Sequence, residues 1–145
     1  DGGRFRDISA EAGPDLRQAR VGRGLAVADF DNDGDLDVVI SSRGQRPALL
    51  RNDTQDKGNW ISLTLEGRKG NRMGLGAVVR IRTPEGVQVR EVTGVSSYQS
   101  SSDTRLHVGL GPARAAQQVT VAWPGGASQV LDNVAAGQFL VVKEP

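Results

Sequence analysis

The chain has 145 residues, a formal net charge of +1, 37% hydrophobic and 24% charged residues, and no cysteine. That length holds one domain or two small ones, the lack of cysteine excludes a disulfide framework, and no apolar run reaches the roughly 20 residues of a membrane-spanning helix. Aromatic content of 4% requires an aliphatic core, and 19 glycines among short apolar runs favour an all-β fold.

Residues 1–23 are polar and irregular, with a helical turn predicted around residues 7–12. The chain begins at Asp1 rather than Met, which reads as a processed or excised product. Residues 24–28 read as a short strand. The run Asp29-Phe-Asp-Asn-Asp-Gly-Asp-Leu-Asp37 follows, and then Val38-Val-Ile40, a β-branched strand. A polar loop spans residues 41–47 and a short strand residues 48–50. Residues 52–59, with Asp53, Asp56, Lys57 and Gly58, read as a linker.

Beyond the linker the pattern has period two. Ile61, Leu63 and Leu65 share one face, with Ser62, Thr64 and Glu66 on the other. Ala77, Val79 and Ile81 repeat it, with Arg80 and Arg82 outward. Residues 83–86 form a turn into residues 87–92, where slipped alternation predicts a bulge or a sheet edge. Leu106, Val108 and Leu110 make one strand face; Val119, Val121 and Trp123 make another. The last strand, residues 139–142, is continuously apolar, which predicts burial on both faces. Short strands with regular turn signals predict a small β-sandwich or barrel after the hairpin.

The chemistry is concentrated in the acidic run. Asp29, Asp31, Asp33, Asp35 and Asp37 fall within nine residues. On a tight loop, alternate positions aim their carboxylates at one centre, and a hard divalent cation resolves the repulsion. Ca²⁺ suits many flexible oxygen ligands better than Mg²⁺, which demands rigid octahedral geometry. Side-chain oxygens come from Asp29, Asp31 and Asp33, a backbone carbonyl from Asp35, and Asp37 closes the site. Gly34 sits at the sharp turn and Asn32 faces solvent. An EF-hand is excluded, because Ile40 stands where a bidentate Glu belongs and a strand follows the loop. The bland alternative is an acidic turn that binds nothing.

Residues 24–40, from Gly24-Leu-Ala-Val-Ala through the acidic run to Val38-Val-Ile40, resemble an FG-GAP/VCBS repeat, the calcium-looped blade of integrin-like β-propellers. The chain from about Asn59 resembles the ASPIC/UnbV domain of secreted bacterial proteins and the cartilage acidic protein family. That likeness is carried by Asn71-Arg-Met-Gly-Leu-Gly-Ala77, Ser96-Ser-Tyr-Gln-Ser100, Asp103-Thr-Arg-Leu-His-Val-Gly-Leu-Gly111 and Val121-Ala-Trp-Pro-Gly-Gly126. The resemblance implies residues 1–58 as a propeller-blade-like calcium repeat with linker, residues 59–145 as a β-sandwich, and a secreted or cell-surface location. A single blade cannot bury its own faces. It therefore belongs to a longer propeller, packs on the second domain, or is completed by other subunits through strand addition.

Other chemistry is weaker. His107, the single histidine, has Ser96, Ser97 and Asp103 near it in sequence, but no nucleophile elbow is present. Arg105 and His107 read as surface or pairing residues. Glu66, Glu85 and Glu91 show no spacing that selects a catalytic pair. Arg80, Arg82 and Arg90 line strands without interleaved aromatics, which argues against nucleic-acid binding. Trp60 and Tyr98 are candidates for stacking on a sugar, while Trp123 is in phase with the core. The expectation is a non-enzymatic, extracellular, calcium-binding adhesion or assembly module that meets protein partners or copies of itself. The alternative is a carbohydrate-binding or accessory module of an enzyme acting on extracellular polymer.

Overall fold

The computed structural model describes residues 5–11, 13–55 and 57–145, within which ten strands form three sheets. Ala12, in the expected helical turn, Asp56, in the expected linker, and Asp1 lie outside the described residues. The fold is all-β. A single turn closes where Glu11 N–H donates to the Ile8 carbonyl at 2.8 Å. The helical segment proper is a short 3-10 turn at Asp15–Arg17.

The first sheet is antiparallel and holds β1 (Gly22–Ala28), β2 (Asp37–Ser42) and β3 (Ala48–Leu50), in that order. β1 and β2 form the expected hairpin, with the acidic residues in its loop. Register pairs Ala28 with Asp37 at the loop end and Leu25 with Ile40 farther along.

The remaining strands form a two-sheet sandwich. β4 (Asn59–Glu66) lies between β10 (Gln138–Lys143) and β7 (Leu106–Gly111). The facing sheet runs β6 (Gly86–Glu91), β5 (Val78–Thr83), β8 (Ala115–Ala122) and β9 (Ser128–Ala135). Ile61, Leu63 and Leu65 pack with Leu106 and Val108 against Val79, Ile81, Val119 and Val121. Trp123 joins this cluster, as its phase predicts. Each fully buried Val, Leu or Ile contributes about 1.5–3 kcal/mol through removal of apolar surface from water. An aliphatic core of this size is what a chain poor in aromatics must build.

Two expectations need correction. β10 is not buried on both faces: Phe139 is 42% and Val141 49% exposed. β10 sits at the sheet edge and pairs in parallel with β4, so only Leu140 and Val142 turn inward. β9 was not among the expected strands. Asn133 has a φ of 52°, and this left-handed residue interrupts the alternation by which a strand is recognised. The slipped alternation after residue 86 marks an edge, not a bulge, because β5 and β6 keep unbroken register. That register also separates the arginines: Arg80 and Arg82 share a face with Val89 and Val87, whereas Arg90 pairs with core-facing Val79.

The polar face of β4 also departs from simple alternation. Ser62 points away from the core yet is only 2% exposed. On that face Ser62 lies between its strand partners His107 and Phe139 and lines a cleft with Val27, Asp29 and Leu36 of the hairpin segment.

The chain end is held by Glu144, which is buried and accepts backbone N–H bonds from Arg68 at 2.6 Å and Lys69 at 2.9 Å. The Lys69 and Arg68 amides hold its carboxyl below the ordinary 4.5. A carboxyl whose pKa is depressed on folding adds stability above its unfolded pKa and loses it as pH falls through the folded value. Glu144→Ala is therefore expected to lower the thermal midpoint at pH 7 and to weaken the wild-type fall in stability below pH 4.5. Thermal unfolding of both proteins between pH 3 and 7 checks this.

Candidate metal centre

The loop between β1 and β2 folds because its own carboxylates satisfy its backbone. Asp29 accepts N–H bonds from Asp33 and Gly34, each at 3.1 Å. Asp37 accepts from Phe30 at 2.9 Å and from Asn52 at 2.8 Å, tying the loop to the segment after β3. Asp33 accepts from Asp35 N–H at 2.9 Å. Asn32 and Gly34 take φ of 58° and 94°, the left-handed conformations that a tight reversal requires.

Asp29, Asp31 and Asp37 each present a carboxylate oxygen within 4.8 Å of the others. Asp29 and Asp37 are buried and Asp31 is exposed. Opposite ligands around Ca²⁺ stand about 5 Å apart, twice the metal–oxygen distance, so this donor set fits such an ion. A carboxylate oxygen that accepts one N–H bond keeps a second lone-pair site, so the amide bonds do not exhaust Asp29 and Asp37. Buried carboxylates converging without a counter-charge are costly, and a cation removes that cost.

Asp33 and Asp35 turn elsewhere. Lys57 donates to the Asp33 carbonyl at 2.9 Å and to the Asp35 carboxylate at 3.2 Å, and its ammonium lies 3.5 Å from the Asp33 carboxylate. The Asp35 N–H, aided by Lys57, holds the Asp33 carboxyl below its ordinary value. Desolvation alone would lower the Lys57 pKa, but the Asp35 hydrogen bond and the charges of Asp33 and Asp35 outweigh it and raise it. The loop therefore divides its five carboxylates: three converge on one centre and two face an ammonium.

The loop is seated on the outer face of the β10–β4–β7 sheet. A Cβ on Gly34 would lie 2.2 Å from the Trp60 ring, so the indole is pressed against the loop backbone. Trp60 stacks on His107 with centroids 5.5 Å apart and meets Phe139 edge-on at 5.0 Å. Burial pushes the His107 pKa down, opposed by the charges of Asp29 and Asp35. Arg105 pairs with Asp103, as their spacing suggests, but its guanidinium also reaches across. Nη1 donates to Asn32 Oδ1 and Nη2 to the Asp29 carbonyl, both at 2.7 Å.

Beside the loop, residues 100–103 run along the free side of β1. Leu25 N–H donates to Ser100 Oγ at 3.2 Å, Val27 N–H to Ser102 Oγ at 3.1 Å, and Asp103 N–H to the Val27 carbonyl at 3.0 Å. Serine hydroxyls here do the work of a neighbouring strand. A cleft of about 180 Å³, lined in part by Val27, Leu36, Ser62 and His107, remains between hairpin and sandwich. The sequence reading located the acidic residues but missed Lys57, Trp60, Ser100, Ser102 and the reach of Arg105. Their partners lie up to 76 residues away, and no local pattern marks them.

The family model for ASPIC and UnbV matches residues 67–145, more than half of the chain. The chain belongs to the ASPIC and UnbV family. The FG-GAP repeat model matches residues 21–57, which include β1, the acidic loop, β2 and β3. Cartilage acidic protein 1 of Homo sapiens is 33% identical over 126 residues, covering 85% of this chain and 19% of that protein. Its counterpart in Mus musculus is 32% identical over 126 residues, with the same coverage. That of Xenopus tropicalis is 32% identical over 108 residues, covering 72% of this chain and 16% of that protein. The chain thus spans less than a fifth of these relatives. As an FG-GAP repeat joined to an ASPIC and UnbV domain, it combines the two likenesses read from its motifs.

Replacement of Gly34 tests the seating of the loop. Gly34→Ala forces a side chain into positive φ, worth about 1 kcal/mol, and drives a methyl into Trp60. The expected loss is roughly 2–4 kcal/mol, in the range of overpacking plus strain. Urea unfolding monitored by circular dichroism measures it; a loss below about 1 kcal/mol would contradict the contact.

Proposed function

We propose that this chain is a calcium-binding structural or adhesion module of an extracellular protein, without catalytic activity. The observation that carries the reading is the convergence of Asp29, Asp31 and Asp37 in the hairpin loop. In this reading residues 1–58 form the calcium repeat with its linker and residues 59–145 the sandwich. Asp29, Asp31 and Asp37 hold the ion through carboxylates, and Asp33 and Asp35 complete the loop around it. When bound, the ion supplies positive charge that fixes the loop.

In this reading the setting is extracellular, where calcium is high enough to fill a weak site. Extracellular calcium modules bind at ~10⁻⁴–10⁻³ M, where ambient calcium is high. A site of ~0.1 mM affinity in ~2 mM calcium stabilises the fold by roughly 1.8 kcal/mol. The relatives are named for cartilage, a tissue built largely of extracellular matrix. Among the described residues no helix is long and apolar enough to cross a membrane.

A binding role is favoured over catalysis by the surroundings of His107. It stacks on Trp60, while Ser96 pairs with Ser102 at 2.7 Å rather than with the imidazole. The glycan alternative loses Trp60, whose ring is covered by Gly34 and His107. Protein partners or further copies of the chain fit better. Among the described residues β6 pairs only with β5, and its Val87 and Val89 are exposed, so strand addition at this edge is the proposed mode of association.

Asp31→Ala tests the ion. Asp31 is exposed, so the variant folds and retains its midpoint in chelator. The wild type is expected to gain several degrees in millimolar calcium and the variant to lose most of that gain. Equal gains in both would refute the ligand assignment. Sedimentation velocity in calcium and in chelator tests association, with larger species expected in calcium; a monomer under both conditions would exclude assembly.

A further inference from the structure

We propose that the sandwich half of the chain is a working part of the cation site, with Arg105 as its main positioning residue and Trp60 as the surface on which the loop is set. This deepens the calcium reading and rests on it. The argument starts from what Arg105 touches. Its guanidinium donates to the carbonyl of Asp29, a member of the converging trio, and to Asn32, the left-handed residue at the turn. Asp103 holds the other side of the guanidinium, and the Phe139 ring lies 5.5 Å below it. A planar fork fixed on three sides sets the position of the loop backbone, which a flexible point charge cannot do.

The second support is steric. Gly34 lies against Trp60 with no room for a side chain, so any shift of the hairpin relative to the sandwich moves the turn between Asp31 and Asp37. The third is the edge of β1, where Ser100 and Ser102 hydroxyls and the Asp103 amide hold the strand that leads into Asp29. These three contacts come from residues 60–105, outside the FG-GAP match at residues 21–57. None of them involves the converging carboxylate oxygens, so each is independent of the acidic cluster itself. Seating of the loop and capture of the ion are thus one linked equilibrium. Ion binding tightens the hairpin on the sandwich, and loosening the seat weakens the ion by the same factor.

Charge alone predicts the opposite sign, which makes the idea testable. Arg105 is a cation near a cation site, so removing its charge relieves repulsion and should tighten binding if Arg105 acts only through its field. If Arg105 positions the loop, removing it weakens binding. Arg105→Lys keeps the charge and loses the fork; Arg105→Met loses both. Calcium titrations of the intact chain, followed by calorimetry and by tryptophan fluorescence, read the outcome. Trp60→Phe assigns the fluorescence change to Trp60 rather than to Trp123. The expectation is a calcium-dependent change in Trp60 emission, with affinity at least about fivefold weaker in both Arg105 variants. Their thermal midpoints in chelator are expected to fall less than their calcium-induced gains do, which a merely structural role would not produce. Unchanged affinity in Arg105→Lys, or tighter binding in Arg105→Met, would overturn the positioning role and leave the calcium reading intact. A wild type that shows no calcium response at all would overturn both.

Discussion

Five carboxylates within nine residues repel one another unless something positive lies between them. The hairpin loop meets that constraint by division. Lys57 lies against Asp33 and Asp35, and backbone amides bind the oxygens of Asp29 and Asp37. What remains is a convergence of three carboxylates whose spacing fits a calcium-sized ion. The left-handed turn at Asn32 and Gly34, and the tie from Asp37 to Asn52 beyond β3, both serve this arrangement. A loop this polar takes its order from charge, from hydrogen bonds to its own backbone and from its contacts with Trp60 and Arg105.

The sandwich supplies what the hairpin lacks. A three-stranded sheet with short strands has little apolar surface to bury. Here the loop lies against Trp60, and the side of β1 is closed by the serines of residues 100–103. The outer face of the β10–β4–β7 sheet therefore acts as a floor. Ser62 is buried on the side that alternation assigns to solvent, and Trp60 packs against Gly34, His107 and Phe139. Of the ways in which a lone blade can be completed, packing on the second part of the chain is visible here.

Local signals in the sequence were good guides to local structure. The period-two runs at Ile61–Leu63–Leu65 and Val79–Ile81 became the core faces of β4 and β5 because neighbouring residues alone decide which side of a strand is apolar. The acidic spacing was equally legible, since all its residues sit in one turn. Signals failed where the deciding partner was distant. The apolar run at residues 139–142 does not reveal that β10 is an edge strand, and Asn133 hides β9 behind a left-handed backbone. Nothing around Arg105 announces the Asp29 carbonyl, and nothing around Trp60 announces Gly34. The acidic run could be read from a string of letters, but which of its carboxylates converge, with Asp33 turned to Lys57 instead of joining Asp29 and Asp31, is a property of the folded chain.

The account stands on the claim that one ion gathers the acidic side chains of a loop already set against the sandwich. A crystal structure of the intact chain grown in millimolar calcium tests this most directly. The account predicts a single ion bound by Asp29, Asp31 and Asp37, with Gly34 against Trp60 and Arg105 on the Asp29 carbonyl. Acidic side chains splayed into solvent with no ion among them, or an ion held by a loop lifted away from Trp60, would contradict it.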